Sequence, residues 1–354
     1  MSLPKVFVLV AIVLFIAIGV GAALKKGKTR SEDPPEVTTS APLEVELDQE
    51  IRVVAQPTAE VSNNPEVATA SNTKEAQSEP EKLETAQTIE DMATAPASSM
   101  EVPIVNRIDE LFNKTGPKLP IVETITYQSR VGWQKGRPAW LSDYASHYQT
   151  SRHFIARSLN GKPEYFKQDV VDGDRFNVLR LDKNISFYLV IDTTRSKMLF
   201  YSLDDDSGDR ILIKTYNVGL GRREGAKTSG SLTPLGKYSL GNKIAIYKPK
   251  MMGFHNGQKV EMMRIFGSRW IPFDKEISGT TAQAKGLGVH GVPWVDNGKG
   301  DLAEDVSSIG KFESDGCIRL TTADMEELFA IIITKPTTIE LVKDFYDAKL
   351  PGKE

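Results

Sequence analysis

Apolar residues open the chain without a break: every position from Val6 to Leu24 is apolar or glycine, nineteen in a row. At about 1.5 Å per helical residue that run is just long enough to cross a bilayer. Residues 1–31 therefore read as a membrane segment or a signal peptide with a basic flank, and Gly21 and Ala23 would suit a cleavage site. From residue 32 to 100 the pattern dissolves into TTS, SNNP and TAPAS runs with scattered prolines. Between Glu32 and Asp91 stand 15 acidic and 3 basic residues, a net charge of −12. Such a stretch buries too little apolar surface to offset its ordering entropy and reads as a disordered acidic linker.

Periodicity returns near Val102. In PIVNRIDELFN, Ile104, Ile108, Leu111 and Phe112 recur at helical spacing. IVETITYQ reads as a strand, the segment around the QTS turn as two helices, and DVVDGDRFNVLRLD as a turn and an extended segment. Residues 101–183 thus form a small α+β region. From 184 onward the pattern becomes one of strands. ISFYLVIDTTRSKMLFYSLDDDSGDRILIKTYNVGL alternates apolar positions between turns, which fits antiparallel strands with one buried face. KYSL, IAIYKP, MMRIFG and TTIELV add strands, and TTADMEELFAII reads as a capped helix that buries Leu328 and Phe329. The expected fold over 184–343 is mostly β, a mixed sheet or sandwich with one helix after Leu320, and 344–354 form a tail.

Composition sharpens this picture at two points. The whole chain carries a net charge of −3 without a concentrated basic patch, so nucleic acid is not an expected partner. Cys317 is the sole cysteine of 354 residues and cannot pair within its own chain. It lies in ESDGCIRL, and His290 lies in LGVHGVPW, two glycine-flanked turns. A thiol with an imidazole to take its proton is a candidate nucleophile and base, while a buried cysteine acting as a small hydrophobe is the plainer alternative. His255 in GFHNG is the reserve base, and His147 and His153 read as packing or surface residues. Without CxxC, HExxH or a second nearby histidine, neither a metal nor a cofactor is expected. Arg222, Arg223 and Lys227 form a basic glycine-rich loop, read as a solvated hairpin loop or as an attractor of carboxylates.

HGV at 290–292 followed by SDGCIRL at 314–320 resembles the active-site signature of the L,D-transpeptidase catalytic domain, often called YkuD. Ser314, Gly316, Cys317 and Arg319 fall on its Ser-x-Gly-Cys-x-Arg pattern, and Asp315 stands where His or Lys is frequent. DNGKGDLAEDV lengthens the loop between His290 and Cys317. YLVIDTTRSKMLFYS, TYNVGLG and LTPLGKYSL are similar to the family's opening hairpin, next strand and Thr-Pro turn, so the resemblance covers about 184–343. Residues 125–182 resemble a lysin-motif domain, with Gly-Arg-Pro-Ala in place of the usual Gly-Asp-Thr-Leu, which implies binding of glycan strands.

The resemblance implies a peptidoglycan substrate. Cys317 would attack the carbonyl of the third stem residue and expel the terminal D-residue, and His290 would be the general base and acid, its other nitrogen held by the Gly291 carbonyl. Another stem's amine would resolve the thioester into a 3→3 crosslink; resolution by water would make a carboxypeptidase instead, and a non-catalytic cell-wall binding protein is the rival from a different class. Carbapenem-type β-lactams are expected inhibitors. The backbone N–H groups of Asp315, Gly316 and Cys317 are candidate oxyanion donors. Ser314 would pin the turn, Arg319 would grip a substrate carboxylate or support the loop, and Trp294 would wall the acyl pocket or join the core. Lys25, Lys26, Lys28 and Arg30 after the apolar run favour a cytoplasmic C-terminal part. The implied substrate lies outside, so the expectation is a periplasmic-side enzyme held to the inner membrane through residues 6–24, or secreted after cleavage.

Overall fold

The computed structural model describes residues 101–354. The linker expected at 32–100 and the apolar segment 6–24 lie outside them. Among the described residues no helix is long and apolar enough to cross a membrane. No described helix supplies the single-helix inner-membrane anchor that was expected, and that anchor and the membrane partner are carried no further.

The first described elements are α1 (Asp109–Phe112), β1 (Val122–Thr126), α2 (Leu141–His147), α3 (Arg152–Asn160) and β2 (Arg175–Leu179). α1 is shorter than the apolar spacing predicted: Ile104 is 78% exposed, while Ile108 and Leu111 are buried. β1 and β2 pair antiparallel, with Val122 opposite Leu179. The Ser151 hydroxyl caps α3 by accepting from the His153 and Phe154 N–H groups, and Gly161 ends it in the left-handed conformation. Tyr127, Leu141, Tyr144, Ile155 and Phe176 make a local core here.

β3 (Ile185–Asp192), β4 (Lys197–Asp204) and β5 (Asp209–Asn217) follow as an antiparallel meander. β6 (Leu220–Gly221) leads to β7 (Gly236–Leu240), β8 (Ala245–Ile246) and the hairpin β9 (Met252–His255) and β10 (Gln258–Glu261). MMRIFG, expected as a strand, contains the one-turn helix α4 (Met263–Phe266); Met262 and Met263 are buried beside Tyr247 in a small cluster. A short apolar run of that length does not distinguish strand from helix. β11 (Arg269–Ser278), β12 (Gly288–Gly291), the hairpin β13 (Trp294–Asp296) and β14 (Leu302–Glu304), β15 (Phe312–Ser314) and β16 (Ile318–Leu320) lead into α5 (Thr322–Ile332) and β17 (Thr337–Val342).

The main sheet runs β16-β12-β11-β7-β17-β3-β4-β5, with β8 paired to β11. β12–β16 and β17–β3 are parallel and the other pairs antiparallel, the curled mixed sheet expected. α5 packs Met325, Leu328 and Phe329 into the main core. Ile108, Leu111, Ile121 and Phe154 of the small region enter that same core with Phe187, Leu189 and Phe329. The meander was expected to bury one face, yet β3 and β4 are buried on both. Tyr188, Val190, Leu199 and Tyr201 on the second face are covered by Val105 and by Phe345 and Leu350 of the C-terminal tail.

Candidate active site

Two parallel strands bring the sequence-predicted pair into one place. β12 and β16 align His290 with Arg319 and Val289 with Ile318, so Cys317 immediately precedes the strand that flanks His290. The His290 ring is buried between aromatic neighbours: Phe266 meets it edge-on with centroids 5.4 Å apart, and Trp270, its register partner on β11, lies at 5.8 Å. Nδ1 lies 2.7 Å from the carbonyl of Gly291. A carbonyl only accepts, so Nδ1 carries the proton and Nε2 keeps its lone pair. Burial pushes the His290 pKa down to about 4, aided by the Arg319 charge and opposed by the ring's bonds to the Gly291 and Phe266 carbonyls.

Cys317 is half-buried and unpaired. Its Sγ lies 3.7 Å from the Gly286 carbonyl. Burial pushes the thiol up to about 11, with Asp315 adding to the rise and a backbone bond from Gly288 and the Arg319 charge working against it. Near neutrality the resting site is therefore a neutral thiol beside a neutral imidazole, not a preformed ion pair.

The turn that presents the thiol is pinned from below. The Ser314 hydroxyl donates to the Cys317 carbonyl at 2.6 Å and accepts from the Gly316 N–H at 3.2 Å. Its bonds thus close the turn on itself. They also engage the Gly316 N–H, one of the three expected oxyanion donors. Gly316 sits at φ +117°, and a Cβ there would come within 2.9 Å of the Leu232 carbonyl oxygen. Thr233, fully buried, donates to the Gly316 carbonyl at 3.1 Å and accepts from the Gly221 N–H at 2.7 Å.

Residues 186–341 match the family profile described as YkuD, the L,D-transpeptidase catalytic domain. These residues are a YkuD domain. Among solved structures, the helical cell shape determining protein Pgp2 from Campylobacter jejuni aligns at 20% identity and a TM-score of 0.31, over 49% of this chain and 54% of that one. Bdellovibrio bacteriovorus Bd1075 aligns at 14% identity and a TM-score of 0.30, over 45% and 48%. The aligned stretch spans about half the length of each. A comparison with curated proteins found no match.

The rest of the YkuD domain places the remaining candidates. Arg319 is half-buried; its Nε is shielded from solvent and has no hydrogen-bond partner among the described residues. Burial lowers its pKa, while Cys317 and Asp315 raise it. Trp294 packs with the Tyr247–Met263 cluster and donates Nε1–H to the Thr322 hydroxyl at 3.1 Å. The segment after His290 is folded, not an open loop: β13 pairs with β14, and Glu304 of that hairpin accepts from the Thr322 N–H at 2.9 Å.

His255 stands edge-on to Phe266, whose ring also meets His290 edge-on. His147 stacks on Trp133 at 4.3 Å, and buried His153 accepts from the Tyr165 N–H through Nδ1. Among the described residues no three His, Cys, Asp or Glu side chains are placed to hold a metal. Arg222 pairs with Asp315, and Arg223 lies 4.1 Å over the Phe312 ring, which sets the basic loop against the nucleophile turn. The supports that sequence reasoning missed are Thr233, Phe266 and Trp270. Thr233 alone had a signal, the Thr-Pro turn.

Proposed function

We infer that the YkuD domain is a cysteine acyl-transfer enzyme for peptidoglycan stem peptides, forming 3→3 crosslinks through a Cys317 thioester. The observation that carries this reading is the fixed Nδ1–H tautomer of His290 on the strand beside Cys317. It leaves Nε2 as the only ring atom able to take a proton. Cys317 Sγ attacks the carbonyl of the third stem residue while its proton passes to His290. The N–H groups of Asp315 and Cys317 stabilise the oxyanion. Collapse breaks the amide, His290 gives the proton to the leaving amine, and a thioester remains. An acceptor amine then attacks the thioester and Cys317 leaves as the thiol. The Arg319 Nε, without a hydrogen-bond partner among the described residues, supports a grip on a stem carboxylate. The order β1-α2-α3-β2 supports the lysin-motif reading of 125–182, and with it glycan binding.

Intact-mass spectrometry of the full chain with a carbapenem tests the central claim. Wild type should gain one adduct, Cys317→Ala none, and His290→Ala should acylate far more slowly. An adduct that persists in Cys317→Ala would sink the reading.

A further inference from the structure

The steps above leave one charged pair beside the nucleophile unused. Arg222 Nη2 lies 2.6 Å from Asp315 Oδ1, with side chains 60% and 75% exposed. Backbone bonds set this position. β6 runs parallel to β15, the Arg222 N–H donates to the Ser314 carbonyl at 2.9 Å, and Ser314 in turn closes the nucleophile turn. The pair therefore stands on the rim of that turn, two residues from Cys317, and the Asp315 carboxylate acts electrostatically on both Cys317 and Arg319. Its neighbour Arg223 is spent on the Phe312 ring, and Arg319 lies deeper in the domain.

An ion pair so exposed contributes little to stability, and its members exchange readily with other charges. What it offers is a cation and an anion held side by side, the complement of an ammonium and a carboxylate carried on one carbon. The terminal residue expelled in the first step leaves with those two groups, and microscopic reversibility requires the same site to accept it back. We propose that Arg222 and Asp315 recognise the acyl acceptor as a zwitterionic amino-acid end, its carboxylate on Arg222 and its ammonium on Asp315.

This assignment rests on the thioester reading and names what resolves the thioester. The acceptor exchanges into the Arg222–Asp315 pair and gives one proton to solvent. The free amine nitrogen attacks the thioester carbonyl. As the C–S bond breaks, a second proton passes through His290 to Sγ. One amide forms, one thioester is lost, and the thiol is restored.

The test is a competition on the full chain, acylated by a tetrapeptide stem. D-Alanine and D-alaninamide are supplied at equal concentrations of free amine, and products are counted by mass spectrometry. Their ratio is independent of how fast the thioester forms. Wild type should favour the carboxylate-bearing acceptor about tenfold, as a site built to bind a charged group discriminates against its absence. Arg222→Gln and Asp315→Asn should bring the ratio close to one, and the charge swap Arg222→Asp with Asp315→Arg should restore part of it. Equal use of both acceptors by wild type, or full preference in either variant, overturns the assignment. A wild type that forms no thioester at all, seen directly in the intact mass, overturns the underlying reading and this inference with it.

Discussion

Thr233 donates its hydroxyl proton to the carbonyl of Gly316, the residue directly before the nucleophile, across 83 positions of sequence. The same oxygen accepts from the Gly221 N–H, so one side chain joins the basic loop to the nucleophile turn. Thr233→Val keeps the shape and removes both bonds. Buried groups left unpaired cost about 1–3 kcal/mol, and a nucleophile displaced by a fraction of an ångström loses rate steeply, toward about 100-fold for a full ångström. We expect a lowered Tm and acylation of Cys317 slowed by about tenfold or more, measured by intact mass against time. An acylation rate equal to that of wild type would remove Thr233 from the positioning set.

Gly316 is held at φ +117°, and an added Cβ would meet the Leu232 carbonyl at 2.9 Å and Leu287 at 3.0 Å. Strain of this kind costs about 1–3 kcal/mol before any overlap is counted. Gly316→Ala should therefore lower Tm and displace the Cys317 N–H, so that acylation falls further than stability does. Paired melting curves and adduct time courses measure both. A variant that melts normally and acylates normally would show that the turn accommodates a side chain.

Acid sensitivity follows from two buried histidines. Burial holds His290 at about 4 and His153 at about 3, both well below the usual imidazole value near 6.5. The unfolded chain takes up protons below that value while the folded chain does not. Stability is thus complete above about 6.5 and is lost as pH falls toward 4, by up to about 1.4 kcal/mol per pH unit for each histidine. Melting curves at pH 7, 5.5 and 4.5 should show a falling Tm, and His153→Leu should flatten the decline. Acylation should follow His290 alone: flat over neutral pH and falling only near pH 4. A rate that halves near pH 6.5 would place the working base in an ordinary environment, contrary to the burial of His290.

The pair at the centre of the site was legible because short sequence fixes it. Gly-Cys-x-Arg and His-Gly each sit within a few residues, and the meander showed itself by alternation along β3 and β4. What stayed hidden depends on segments far apart in the chain. Burial of the second face of β3 and β4 comes from Phe345 and Leu350, more than 130 positions away. Local pattern carries no record of such a cover. The Arg222 loop reads as a solvated hairpin until β6 is seen to pair with β15, which sets its guanidinium on Asp315. The short run 263–266 is apolar at both strand and helix spacing, so only packing of Met263 against Tyr247 decides it.

Arg269 joins the small region to the YkuD domain. It is 2% exposed, lies 3.3 Å from Glu164 and 3.6 Å from Glu326, and donates to the Ser268 carbonyl at 2.7 Å. Glu164 belongs to the small region and Glu326 to α5, while Trp270, the next residue, backs the His290 ring. Removing Arg269 strands two carboxylates, and breaking a buried pair in this way costs about 3–5 kcal/mol. Arg269→Met fills the space without the charge and should cost less when combined with Glu164→Gln and Glu326→Gln than when made alone. Because Phe154 and Leu111 share one core with Phe187 and Phe329, unfolding of residues 101–354 should be a single transition in all these proteins. Urea denaturation followed by tryptophan fluorescence and by circular dichroism measures this. Separate transitions for the two regions would show that the shared core does not couple them. Coincident transitions, with Arg269→Met rescued by the two glutamine substitutions, would establish that the small region holds α5 and β11, and with β11 the Trp270 that flanks the His290 ring.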